Sequence, residues 1–292
     1  MVLKTATQQS AYTNGHALAD EPKSEAGRWV SEEEYWAHYY SHPDFNYEWN
    51  NGILEEKPVP DYGQVLVYGW LQALLRWYLQ VNPIAKMIFL EMGFRLPLAQ
   101  KTTIRKPDLF IIRHDNPTPL GDREYTYRGI CDLCVESLSD SDKGEIERDT
   151  KTKKGEYEGV GVHEYYILDA RARHTTFYRR NANGTYDRIS PDAAGVIHSA
   201  VLPGFRFRIA DLYRQPDILA MAADPVYQDF VMIDYQAEKI RAEQERQRAE
   251  QERQRADQER QRADQAEALA QEERSRADQL AAKLRALGVE EV

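Results

Sequence analysis

The sequence predicts a mixed α/β domain followed by a long helix, and three observations carry that expectation. Short apolar runs without polar alternation, such as Leu109 to Ile112, have the pattern of strands covered on both faces. Segments with apolar residues at helical spacing stand among these runs in the order helix, three strands, helix, strand, which is a mixed α/β layer and not an alternating βαβα chain. After about residue 236 a seven-residue repeat takes over and runs without Pro or Gly to Gly288.

Each element has its own local signal. Residues 1–27 mix polar and charged groups without period, which predicts a flexible N-terminal arm. "SEEEYW" then places Ser31 as an N-cap with Glu34 three residues on, a capping box that opens a short helix. In "YEWNNGILEE", Asn51-Gly52 stands between alternating strands, and a type I′ hairpin turn needs positive φ at both central residues. Gln64 to Gln80 carries apolar residues at helical spacing and predicts a core helix. "KMIFLEMGFRL" supplies one strand or two, "KPDLFIIR" another and "CDLCVES" a third. "EIERDTKTKKGEYEGVG" is helical and closed by glycines, and "EYYILD" and "TTFYRR" return to strand. The expected division is an arm over 1–27, an α/β domain over 28–225 and a heptad helix over 237–288.

Composition narrows the functional classes. With 292 residues, 42% apolar and 11% aromatic, the chain can bury one substantial core. A net charge of -10 argues against a long basic surface that wraps duplex nucleic acid, and against binding to anionic membrane. No apolar run approaches the roughly 20 residues of a membrane span, and residues 1–27 lack the apolar centre of a signal peptide. The two cysteines, Cys131 and Cys134, are three apart on a strand, so their side chains are expected on opposite faces, without the four ligands of a zinc site nearby. A structural role in a reducing cytoplasm follows.

Three charges stand where the pattern asks for apolar groups. Asp108 follows a proline and opens a buried strand, where an ionised carboxylate costs several kcal/mol unless a cation or donors compensate it. Glu136 ends the run "LCVE" and shares a strand face with Cys134 and Asp132. Lys153 lies on the inward helical stripe Ile146, Thr150, Lys153, Tyr157 and Val160, whereas Lys151 and Lys154 point elsewhere. Two acids on adjacent strands repel by roughly 4 kcal/mol at about 4 Å. Mg²⁺, with Mn²⁺ as an alternative, suits such a pair because it takes a few carboxylate oxygens and leaves positions for water and phosphate. Two acids, one Mg²⁺ and one lysine suffice to hydrolyse a phosphodiester. The plainer alternative has both acids at strand ends facing water and the lysine snorkelling to the surface. Seven histidines lack metal spacing, and neither a Gly-rich phosphate loop nor a G-x-S-x-G elbow occurs.

The heptad repeats set Ala242, Ala249, Ala256, Ala263, Ala270 and Ala277 on one seam. The alternate core position is Glu in the first three repeats and improves to Ala266 and then to Leu280, Leu284 and Leu287 at the end. Either the helix is solvated and laced by Arg to Glu pairs, or it is a coiled coil that makes the chain a homo-oligomer.

"YEWNNGILEE", "KPDLFII", "CVESLSDSD" and "RDTKTKKGEYEGVGVHEYYILD", with the repetitive helix, resemble the bacterial Uma-two family of restriction endonucleases, a branch of the PD-(D/E)xK nuclease superfamily. The likeness runs from about Glu34 to Tyr178, about half of the chain. It implies a restriction-endonuclease-like core of α-β-β-β-α-β order and Mg²⁺-dependent hydrolysis of DNA. Asp108 would then be the first metal ligand and Glu136 the second. The superfamily lysine normally stands two residues after the second acid, where this chain has Leu138, and Lys153 on the following helix takes its place. Glu48 matches a family acid that also reaches the metal, while Asp149, Tyr157 and Asp169 match positions of structural weight. Gln64 departs from a histidine common at that place, which bears on the metal shell or a proton relay. The tail carries 14 acids and 12 bases, so about -8 stays on the rest. A phosphate-binding surface must therefore be local, with Arg105, Lys106, Arg148, Lys151 and Lys154 as its candidates. The rival expectation is a catalytically inactive nuclease-fold scaffold that acts through its C-terminal helix.

Overall fold

The structure, a computed structural model, describes residues 22–139 and 143–286. Most of the expected N-terminal arm lies outside the described residues, as do Asp140 to Asp142 and the last two positions of the expected heptad helix, Leu287 and Gly288. The chain divides into two compact units between Asp217 and Ile218.

In the first unit, Ser31 caps α1 (Glu32–Glu34) by accepting from the Glu34 N–H at 3.1 Å, and a π-helical turn, Tyr35–Tyr39, continues it. The Glu34 carboxylate goes to Arg28 instead of returning to Ser31, so the capping box is half closed. β1 (Tyr47–Asn50) and β2 (Ile53–Glu56) form the hairpin, with φ of 49° at Asn51 and 103° at Gly52, the left-handed pair that the turn demands. Asp61 caps α2 (Tyr62–Val81), which buries Val67, Leu71, Leu74, Leu75 and Tyr78 at helical spacing.

"KMIFLEMGFRL" forms two strands that part company. β3 (Ala85–Phe89) pairs with the later strand Leu109–Arg113, whereas β4 (Gly93–Pro97) joins β5 (Thr102–Arg105), a strand the sequence signals missed. The turn between them puts Leu90 and Glu91 at φ 61° and 63°, a left-handed conformation without glycine that leaves no local signature. β6 (Leu109–Arg113) is buried from Leu109 to Ile112, as its unbroken apolar run requires. After the short β7 (Thr126–Tyr127) comes β8 (Leu133–Ser137). The crossover that follows comprises α3 (Lys143–Glu147), a π-helical stretch Arg148–Lys153 and α4 (Lys154–Val160), closed by Gly161 at φ 96°. It leads to β9 (Glu164–Leu168), buried throughout and parallel to β8. β10 (Thr176–Arg180) and β11 (Tyr186–Arg188) extend the sheet, and β12 (Val196–His198), β13 (Arg206–Arg208) and α5 (Asp211–Arg214) complete the unit.

The six-stranded sheet has the order β11-β10-β9-β8-β6-β3, and α2, β3, β6, β8, α4 and β9 preserve the expected helix, three strands, helix, strand succession. The five-stranded sheet is β2-β1-β5-β4-β7. One face of the larger sheet supplies Phe110, Cys134, Tyr165 and Ile167 to a core that also takes Phe94 and Leu96 of β4 and Tyr157 of α4. The crossover and the smaller sheet therefore cover that face. Cys131 and Cys134 belong to this core with their sulfurs 2.9 Å apart, not on opposite faces, because Cys131 precedes the strand and escapes its alternation.

In the second unit, α6 (Ile218–Ala223) precedes α7 (Ile233–Ala286), a helix of 54 residues. None of the described α7 residues is buried, and Leu269, Leu280 and Leu284 are exposed. At 1.5 Å per residue α7 spans about 80 Å.

Candidate active site

The β6–β8 ladder pairs Leu109 with Val135, so one step further Asp108 stands opposite Glu136. Both acids lie on the face that the crossover covers, since Phe110 and Cys134, two residues from each, join the core on that side. The ladder and the alternation thus bring the first two candidate residues together. They line one cleft of about 290 Å³ with Lys57, Tyr68, Ser137, Arg148, Asp149 and Lys153.

Asp108 is half-buried and fully engaged. Its Oδ2 accepts from the Ser137 N–H at 2.6 Å, and its Oδ1 accepts from the Lys57 ammonium at 2.8 Å. Tyr68 donates to the Asp108 carbonyl at 2.9 Å, which ties α2 to the start of β6. Glu136 is 2% exposed, and its Oε1 accepts from Tyr157 Oη at 2.8 Å and faces Lys153 Nζ at 3.1 Å. Its Oε2 has no hydrogen-bond partner among the described residues. Burial pushes the Glu136 carboxyl up to about 8; Lys153 opposes the rise and the negative Asp108 adds to it.

Lys153 comes from the π-helical stretch, where the wider turn brings Asp149 inward beside it. Its ammonium, 1% exposed, also lies 3.2 Å from Glu48 and 3.3 Å from Asp149. Burial would discharge it, but Glu136, Glu48 and Asp149 outweigh burial and hold its pKa above the ordinary lysine value. Lys151 and Lys154 do point elsewhere, to Glu147 and over the Tyr178 and Tyr186 rings.

Glu48 is fully buried behind Lys153 and does not line the cleft. Its Oε1 accepts from the Lys106 N–H at 2.8 Å, and its Oε2 meets Arg105 at 3.1 Å as well as Lys153. Burial raises its carboxyl, but Lys153 and Arg105 prevail and hold it well below the usual range. The structure thus gives Glu48 the task of anchoring Lys153. Among the described residues no group of three or more His, Cys, Asp or Glu side chains is close enough to hold a metal ion.

The expected phosphate-binding surface needs correction. Arg105 is fully buried and forks onto Glu156 at 2.6 and 2.9 Å. Lys106 is buried against the Tyr40 ring, bonds the Tyr40 carbonyl, and has its pKa lowered by burial to about 8. Of the five candidates Arg148 alone lines the cleft. Its Nε and Asp149 Oδ1 are buried 3.7 Å apart without a hydrogen bond, and the charge of Asp149 Oδ1 is met by the Lys153 ammonium at 3.3 Å.

Gln64 is a staple of the fold. Its amide donates to Ser137 Oγ at 2.6 Å and to the Leu168 carbonyl at 2.9 Å, and its oxygen accepts from the Ala170 N–H. Asp169 accepts the N–H groups of Arg171, Arg173 and His174 and so caps a turn. Lys57 is the cleft residue that sequence reasoning missed. Its one signal is a position directly past β2, where Pro58 restricts it to an extended backbone that continues the strand toward the acids.

Residues 32–212 match the Uma2 family, described as "putative restriction endonuclease". No curated protein matches the chain. Among solved structures the chain is similar to a "putative nuclease" from Anabaena variabilis, with 15% identity and a TM-score of 0.49 over 63% of this chain and 98% of that one. No helix among the described residues is long and apolar enough to cross a membrane.

Proposed function

Because the chain belongs to the Uma2 family of the restriction-endonuclease type, we propose that it hydrolyses phosphodiester bonds of DNA with Mg²⁺, or Mn²⁺ in its stead, held by Asp108 and Glu136. The observation that carries this reading is the convergence of Asp108, Glu136 and Lys153 on one cleft. The donor set suits a hard divalent ion that takes carboxylate oxygens from two adjacent strands, at Asp108 and Glu136, and completes its shell with water. Such an ion supplies an activated water and charge neutralisation at phosphorus-bound oxygen.

The chain's own residues prepare that chemistry. Tyr157 and Lys153 fix the Glu136 carboxylate from one side, which turns its Oε2 free for the cleft. The Ser137 N–H orients Asp108. Lys153, held by Glu48 and Asp149, keeps a positive charge beside the reacting centre, and Arg148 is the wall cation placed for a phosphate. Asp108→Ala and Glu136→Ala should each abolish Mg²⁺-dependent cleavage of a plasmid while keeping a cooperative unfolding transition. Undiminished cleavage in both would overturn the assignment.

The second unit serves this reading as a dimerisation element: α7 pairs in a coiled coil through its alanine seam and the leucines at its end, because alone it leaves Leu280 and Leu284 in water. Sedimentation of the full chain at micromolar concentration should give a dimer, and a monomer would dismiss the pairing.

A further inference from the structure

We propose that Lys57 is a built-in counter-ion: its ammonium occupies the divalent-cation side of Asp108, and a metal enters by displacing it toward Glu91. The inference rests on the metal reading of the cleft and specifies how that site is regulated.

The geometry makes Lys57 a seated group and not a passing surface lysine. Its backbone N–H donates to the Asn46 carbonyl at 2.8 Å and Pro58 follows it, so the stem starts from a fixed point. The side chain is 8% exposed, and its ammonium bonds both Asp108 Oδ1 at 2.8 Å and the Lys106 carbonyl at 2.6 Å. Burial disfavours the charge, but Asp108 and Glu136 outweigh it and keep the pKa above the ordinary lysine value. Since Oδ2 is taken by Ser137, Oδ1 is where Asp108 would meet a metal, and there the cation is already present.

A divalent ion on Asp108 and Glu136 would therefore face a like charge in direct contact with one of its ligands. The rim offers that charge a second position. Glu91 Oε1 is 3.9 Å from Lys57 Nζ and about half exposed, so a second carboxylate stands within a short side-chain movement of the ammonium. Glu91 is presented by the left-handed turn Leu90–Glu91, which lines the same cleft.

The test is calorimetric titration of MnCl₂ into the full chain without nucleic acid, for wild type, Lys57→Met, Glu91→Gln and Asp108→Asn. Lys57→Met should bind Mn²⁺ at least tenfold more tightly than wild type, and Glu91→Gln several-fold more weakly, because the displaced ammonium loses its second partner. Asp108→Asn should not bind. Thermal unfolding of each variant verifies the fold, and Glu91→Gln, at an exposed position, remains informative even if Lys57→Met is unstable. Equal or weaker binding by Lys57→Met, with binding still lost in Asp108→Asn, overturns the counter-ion and leaves the metal site standing. No binding by wild type or Lys57→Met overturns the metal reading and the counter-ion with it.

Discussion

Replacing Lys153 by Met asks whether the buried charges of the crossover hold one another in place. The ammonium lies 3.1, 3.2 and 3.3 Å from Glu136, Glu48 and Asp149, and its side chain is 1% exposed, so water screens none of the three pairs. Met nearly preserves the volume, which leaves the cavity contribution small and the loss chiefly electrostatic. Removing one partner of a buried ion pair costs about 3–5 kcal/mol. Arg105 remains 3.1 Å from Glu48, and Glu136 already holds its proton below about pH 8, so the lower end applies, about 3 kcal/mol. For a unit of this size, 1 kcal/mol shifts the melting temperature by about 2–4 °C, which gives a fall of about 6–12 °C. Urea unfolding should show a lower midpoint with an unchanged slope. Adding Glu48→Gln removes the uncompensated acid, so the double variant should be more stable than the sum of the single losses by about 1 kcal/mol or more. A Lys153→Met protein within about 1 kcal/mol of wild type would refute the reasoning, since surface pairs alone lie in that range.

Other outcomes follow from single residues. Glu136 keeps its proton to about pH 8 when folded, against an ordinary value of 4.5, so the folded state binds the extra proton across that window. Wild-type stability relative to Glu136→Gln should therefore fall by a few kcal/mol from about pH 4.5 to about pH 8 and level off above it; a flat difference would contradict the raised value. Gln64→Ala removes two donors and one acceptor at 2.6–2.9 Å and should lower stability by about 1–3 kcal/mol in urea, with an unchanged midpoint excluding the staple. Gly52→Val forces a β-branched residue to φ 103° against the Trp29 indole, and should lose about 1–3 kcal/mol with a shift in tryptophan fluorescence. Retention of the wild-type melting curve would show that the hairpin turn tolerates a side chain.

Much of the fold was legible because its signals are local. The run Leu109 to Ile112 declares a strand with both faces covered, since period and burial are properties of neighbours in the chain. Asn51-Gly52 declares a turn because few residues accept positive φ, and Ser31 declares a helix start because its hydroxyl reaches an N–H three residues on. Lys153 could be placed on an inward stripe by helical arithmetic, which survives the π-helical stretch. β5 escaped because Thr102–Arg105 holds a single aliphatic residue, Ile104, and so forms no apolar run, and Leu90–Glu91 because its left-handed turn lacks the glycine that would announce it.

What the sequence determined by itself was where charge interrupts an apolar pattern: at Asp108, Glu136 and Lys153. Which charges meet was decided by the tertiary structure alone. Arg105 stands among the cationic residues of the sequence, yet the fold buries it on Glu156 and Glu48, 51 and 57 residues away. Lys57 carries no signal beyond its place between β2 and Pro58, yet it reaches Asp108 across 51 residues. An ion pair depends on a few ångströms at the end of flexible side chains, and no spacing along the chain encodes that distance until the β hairpin, the β6–β8 ladder and the crossover are packed together.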